Sequence, residues 1–178
     1  MTSIETLLER NEAFATERFL PELAINPAGK LMIISCVDPR VDPTYVLGLE
    51  QGESAVIRNV GGRVTPATVK TIAMLGKVGQ ANNGGAPGVG WNLVVLHHTD
   101  CGMTDLAAYP DSLAEYFEVP AEELPGKSIS DPYGSVQVDT TFLHHAPLPP
   151  SFSVSGLVYD VDTGKIETVV PSAPLRAE

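Results

Sequence analysis

The chain has 178 residues, 43% of them hydrophobic, and a formal net charge of −11. That size and composition suit one domain with a sizeable core. No apolar run approaches the ~20 residues that span a bilayer, and the acidic balance opposes nucleic acid and anionic membranes, both of which reward clustered Lys and Arg. Small neutral molecules remain open as partners, and no internal repeat is visible.

In chain order, Thr2-x-x-Glu5 resembles a capping box, and Ile4, Leu7, Leu8 and Phe14 fall near helical spacing. An amphipathic helix over 2–20 is therefore predicted, ended by Pro21. The apolar run 30–35 is too short for a helix and reads as a buried strand. Asp42-Pro43 supplies an N-cap followed by proline at the first helical position. A second strand is predicted over 54–59, covered on both faces because it alternates little. Thr65-Pro66 repeats the cap signal, with Val69, Ile72, Ala73 and Leu75 as the apolar face of the next helix. Residues 82–90, rich in Gly and Asn, read as a surface loop, and 92–97 as the third strand. Helical segments are predicted over 105–109 and 112–117, then a loop over 118–130 with a turn at 121–123. Asp131-Pro132 opens a further helix that ends before Pro147. The tail, 152–170, reads as two strands joined by a hairpin-type turn at 162–165.

Strands alternating with helices predict an α/β fold: a mostly parallel central sheet flanked by helices, with an antiparallel C-terminal edge hairpin, in a single domain over 1–178. In such sheets function collects at the carboxyl ends of the strands. The opening Met1-Thr2-Ser3-Ile4-Glu5 has neither a basic start nor an apolar stretch of secretory length, so no signal peptide and a cytoplasmic location are expected.

The chain has 2 cysteines, and each stands where an apolar run gives way to polar residues. One is in Ile33-Ile34-Ser35-Cys36-Val37-Asp38-Pro39-Arg40, the other in Leu96-His97-His98-Thr99-Asp100-Cys101-Gly102. Thiolate and imidazole are ligands that Zn²⁺ favours, and a catalytic zinc keeps three of them plus an open position. Cys36, His98 and Cys101 would supply the three. Burial as small apolar side chains is the plainer alternative, but both cysteines are flanked by ionisable residues. A disulfide is a third reading, without any sign of an oxidising compartment. His97 should face away from His98 if the pleat continues, as a core residue or a support to the site. His144 and His145 read as helix-end residues, and Trp91 as packing.

Cys36-x-Asp38-x-Arg40 followed by His98-x-x-Cys101-Gly102, with Arg58-Asn59 between them, resembles the β-class carbonic anhydrases over residues 25–170, including the closing Gly156-Leu157-Val158-Tyr159-Asp160-Val161 stretch. The resemblance implies a zinc enzyme that hydrates CO₂ to bicarbonate through a zinc-bound hydroxide and assembles as a homodimer or a multiple of dimers. It makes Cys36, His98 and Cys101 the zinc ligands and Asp38 and Arg40 the catalytic dyad, and lets Gly102 offer its N–H to a bound anion. Asp38 would orient the nucleophile or, in a closed state, take the fourth zinc position. The N-terminal helix would pack on a partner subunit, or equally on its own domain. Two thiolates cancel the ion's charge, so bound water should be acidified less than in neutral-ligand sites, where its pKa is about 7. Activity should therefore rise on the alkaline side of neutrality.

Four departures from the family pattern are visible. Pro39 stands where Ser or Ala is usual, Met103 where many members have Gly, Gly61-Gly62 in place of Ala-Asn, and Glu50 where plant enzymes have Gln. Together with His98-Thr99-Asp100-Cys101-Gly102-Met103 they resemble a short branch of the family that also contains carbonyl sulfide hydrolases. Hydrolysis of COS to H₂S and CO₂ at the same site is thus the runner-up, and a zinc-bearing scaffold without turnover is a third reading.

Overall fold

A computed structural model describes residues 1–86, 88–149 and 151–175. Strands β1 (Leu31–Cys36), β2 (Ser54–Asn59), β3 (Asn92–His98), β4 (Ser153–Tyr159) and β5 (Ile166–Pro174) form one sheet in the order β2-β1-β3-β4-β5. The first four run parallel, and β5 pairs antiparallel with β4 at one edge. The helices are α1 (Ile4–Glu17), α2 (Pro43–Val46), α3 (Pro66–Ala81), α4 (Pro110–Phe117) and α5 (Pro132–His145). None is long and apolar enough to cross a membrane among the described residues.

The caps read from the sequence carry the helix starts. Asp42, Thr65 and Asp131 each accept a backbone N–H, with proline in the first turn that follows, and Thr65 with Thr68 closes a full capping box. At α1 the cap is Ser3, which accepts from Thr6, so the Thr2/Glu5 box does not form. One helical expectation and one loop expectation change character. Gly102–Ala108, read as helical over 105–109, and Ala121–Lys127, read as a loop with a turn at 121–123, are both 3-10 segments. The first cannot continue as an α-helix because Tyr109 precedes Pro110, which disfavours helical geometry at that residue. Strand β2, expected to be covered on both faces, is instead an edge strand whose residues are mostly half-buried and whose Val56 is exposed.

The pleat divides the core in two. Met32, Ile34, Leu93 and Val95 pack with Val136 and Leu143 of α5, while Ile33, Leu96 and Val94 face Val41, Val46 and Leu47 on the other side. A smaller cluster of Met103, Leu113, Phe117 and Leu124 gathers the excursion between β3 and α5. Helix α1 buries no residue.

One ion pair is enclosed in this core. The Arg63 guanidinium donates to both carboxylate oxygens of Asp139, at 2.8 and 3.0 Å, with both side chains 2% exposed. Asp139 also accepts the Val64 N–H at 2.9 Å and lies 3.3 Å from His97 Nε2. It thus ties the segment after β2 to α5 and β3. Burial acts to raise the Asp139 pKa, but contacts with His97 and Arg63 outweigh it and hold the carboxyl below its usual range. A depressed folded pKa means the stabilisation is present above the unfolded value of about 4 and is lost as pH falls through the folded one. Asp139→Asn would leave Arg63 buried without a counter-charge, and about 3–5 kcal/mol should be lost in urea unfolding at pH 7. The gap between variant and wild type should narrow as the titration is repeated below about pH 4.

Candidate metal centre

From β1 the chain goes outward to β2, then returns through α3 to β3 on the other side of β1. The carboxyl ends of β1 and β3 therefore diverge into a crevice at the topological switch point, where open α/β sheets hold ligands. Cys36 is the last residue of β1 and His98 the last of β3, with Cys101 on the turn that follows. Their ligand atoms all lie within 4.8 Å of one another.

The donor set fits a tetrahedral cation. Cys36 Sγ and Cys101 Sγ are 3.9 Å apart, against about 3.8 Å for two sulfurs each ~2.3 Å from one tetrahedral zinc. Both cysteines are free, so the disulfide reading is set aside. The His98 ring is held by Nδ1 against the Thr99 carbonyl at 2.9 Å, while its Nε2 is buried without a hydrogen-bond partner. An orphaned ring nitrogen in the interior is costly, and a metal would satisfy it, with the carbonyl fixing the tautomer. Between the sulfurs, the Cys101 contact pushes the Cys36 thiol down to about 4, and the same contact pushes Cys101 up. A cation coordinated between them would hold both sulfurs as thiolates.

Beside the ligands, the Asp38 N–H points at Cys36 Sγ, 3.4 Å away. The Asp38 carboxylate is gripped by Arg40: Nε donates to Oδ1 at 3.0 Å, an NH2 proton to Oδ2 at 2.7 Å, and the Arg40 backbone N–H to Oδ1 at 2.9 Å. Pro39, between them, leaves this grip intact. The Arg40 hydrogen bond is the main reason the Asp38 carboxyl falls to about 2. Asp38 is not part of the group formed by Cys36, His98 and Cys101.

Two supports were not apparent from the sequence. Arg58, at the end of β2, donates to the Cys36 carbonyl at 2.9 Å, the Asp38 carbonyl at 2.8 Å and Asp42 Oδ2 at 3.0 Å. It braces the whole ligand-to-dyad turn. Asp100 accepts from Arg40 through its side chain at 2.7 Å and through its backbone carbonyl at 2.8 Å. Spacing gives no hint of either, because the partners come from different strands.

Beneath the ligands, a Cβ on Gly62 would stand 2.7 Å from the Cys36 backbone nitrogen, and its φ is +66°, so only glycine lets the segment pass. At Gly61 the missing Cβ leaves room for Met103 Sδ, which would otherwise be 2.9 Å away. His97 turns from the ligands as expected, meeting Ser135 Oγ at 2.7 Å and the Gly62 carbonyl at 3.1 Å. Gly102 opens the 3-10 segment, and a Cβ there would meet nothing within 4 Å. A cavity of about 50 Å³, lined by Gly61, Arg63, His97, His98, Cys101 and Met103 among others, adjoins the centre. His144 and His145 sit in the last turn of α5, each bonded to a carbonyl, and Trp91 packs against Phe152.

A family model described as "Carbonic anhydrase" matches residues 31–120. The chain is 27% identical to "Beta-carbonic anhydrase 1" of Mycobacterium tuberculosis, across 96% of this chain and 100% of the relative. It is 23% identical to "Carbon disulfide hydrolase" of Saccharolobus solfataricus, across 77% of this chain and 76% of the relative. Among solved structures, a carbonic anhydrase from Streptococcus mutans superposes with a TM-score of 0.71 at 30% identity, covering 95% of this chain and 98% of the other.

Because Arg58 fixes two carbonyls of the turn that carries Cys36, Arg58→Ala should weaken metal binding without removing a ligand. Competition against a chelator should read an affinity loss of about 10–100-fold, the usual effect of deleting a support behind a ligand.

Proposed function

The chain belongs to the β-carbonic anhydrase family, and on that premise we propose that it is a zinc enzyme hydrating CO₂ to bicarbonate, with Cys36, His98 and Cys101 as the metal ligands. The observation that carries this reading is the buried, partnerless His98 Nε2 grouped with two sulfurs 3.9 Å apart, beside a carboxylate that Arg40 keeps ionised. Zinc held there would supply an activated water as nucleophile at neutral to alkaline pH.

The chain's own residues do the rest. Cys36 and Cys101 bring two negative charges, and Thr99 fixes the direction of the His98 ring. Asp38, charged across the working pH range, accepts a hydrogen bond from the attacking water and turns a lone pair toward the substrate carbon. Arg40 holds it in that position and off the metal. The Gly102 N–H faces the anionic product. The small cavity admits molecules of a few heavy atoms only, since a single water already needs ~10–15 Å³ of such space. Release of Asp38 from Arg40 would let it take the fourth ligand position and close the site.

Hydrolysis of COS, or of CS₂ as in the named relative, is the second reading, favoured by Met103, a residue with a soft thioether, among the residues that line the cavity. The intact dyad weighs against a scaffold without turnover. Assembly as a homodimer or larger homo-oligomer is supported by α1, which exposes Ile4, Leu7 and Leu8 and buries nothing.

The test is stopped-flow CO₂ hydration together with sulfide release from COS and CS₂. One equivalent of zinc per chain and a kcat/KM for CO₂ that rises with pH above neutrality are expected. Because Asp38 titrates at about 2, it should add no limb between pH 5 and 9. Cys101→Ser should lose both zinc and turnover. Asp38→Asn should keep zinc and lose about 10²–10⁴-fold in kcat/KM. A protein without metal, or silent toward all three substrates, would sink the reading. Sedimentation should give at least twice the chain mass, and removal of residues 1–20 should lower it.

A further inference from the structure

We propose that Asp100 is a positioning residue that clamps Arg40 onto Asp38 and so holds the metal centre in its open form. This deepens the zinc-site reading and rests on it. A guanidinium has five N–H donors. Arg40 spends Nε and one NH2 contact on Asp38, and turns NH1 to Asp100 Oδ2 at 2.7 Å and NH2 to the Asp100 carbonyl at 2.8 Å. The carbonyl is presented because Asp100 adopts φ +52°, a left-handed conformation uncommon outside glycine and best tolerated by Asn and Asp. Asp100 lies between His98 and Cys101, and Asp38 just after Cys36. Arg40 thereby laces together the two ligand-bearing turns, which belong to different strands.

The Arg40 side chain is 47% exposed. Without an anchor on its far side, it is a long, mobile chain that gains rotamer freedom by leaving Asp38. Each departure releases a carboxylate beside the ligand cluster, where the remaining ligand position of a bound cation would capture it. Asp100 therefore sets the balance between Asp38 on Arg40 and Asp38 on the metal. An external anion must compete with the second state, and its apparent affinity falls with the fraction of open sites.

The test uses the full chain loaded with cobalt(II), titrated with thiocyanate and followed by visible absorption. Asp100→Gly removes the carboxylate without opposing the positive φ, and thiocyanate should bind about three- to tenfold more weakly, the scale of one exposed ion pair and its network. Asp100→Asn, which keeps an acceptor in place, should fall between that variant and wild type. Adding Asp38→Ala to Asp100→Gly should restore affinity to that of Asp38→Ala alone, which a merely distorted loop would not allow. Wild-type affinity in Asp100→Gly, or a deficit that survives loss of Asp38, overturns the proposal. A wild-type chain that takes up no cobalt overturns the metal-site reading, and this proposal with it.

Discussion

A candidate metal centre drawn from two strands depends first on register. β1 and β3 pair so that Ser35 stands opposite Leu96, which leaves Cys36 and His98 at the same rim of the sheet, with Cys101 a short turn beyond. Side chains alternate strictly along a strand, so a slip of one residue would exchange His98 for His97 and turn the imidazole toward α5. The run Leu93–Leu96 is apolar toward both core clusters and tolerates that slip; what opposes it is the buried His97, which would lose Ser135 and the Gly62 carbonyl as partners. The placing of His98 at the rim is in this sense fixed by the polar burial of its neighbour.

Register alone does not aim the side chains, and the polar groups around the centre supply the aim. Arg58 pins the carbonyls on either side of Val37, Thr99 orients the His98 ring, and Gly62 lets the chain pass under Cys36 at a distance no side chain would permit. Behind these, Arg63, Asp139, His97 and Ser135 form a buried polar web joined to the Gly62 carbonyl. Such a web rigidifies the fold to the extent that its members are paired, and among the described residues Arg63 NH1 is its one buried nitrogen without a partner. The web gives the glycine segment beneath Cys36 a fixed position instead of a range of them.

Much of this was legible from the residues. Proline-plus-cap pairs located α2, α3 and α5, and short apolar runs located β1, β2 and β3 to within a residue or two, because both signals are local; β5 runs to Pro174, four residues past the expected end at 170. The three candidate ligands were legible because Cys and His are rare in this chain and stand at strand ends. What escaped was non-local or depended on strand order. β2 reads as an enclosed strand, yet nothing in Ser54–Asn59 announces that it lies at the sheet's edge. Asp100 reads as a flank of Cys101, and its contact with Arg40 spans 60 positions. Arg63 and Asp139, 76 apart, look like two surface charges until the fold buries them together. The stop of the Gly102–Ala108 segment before Tyr109 follows from Pro110, which disfavours helical geometry at the residue preceding it.

The departures from the family pattern answer one another in the structure. Pro39 removes a backbone N–H between the dyad partners, but the one that matters belongs to Arg40, which still donates to Asp38. Gly61 and Met103 are one device, since the methionine sulfur occupies the volume that a side chain at position 61 would take. The result is a cavity lined in part by Met103, where a smaller residue at 103 would leave space. Met103 is 2% exposed and packs among Leu113, Phe117 and Leu124, so its place is held from behind by a dedicated apolar cluster. A wall differing by one polarisable group discriminates between substrates of like shape by only about 1–3 kcal/mol. It is through this Gly61–Met103 contact, and not through Cys36, His98, Cys101, Asp38 or Arg40, that the departures alter the lining of the cavity.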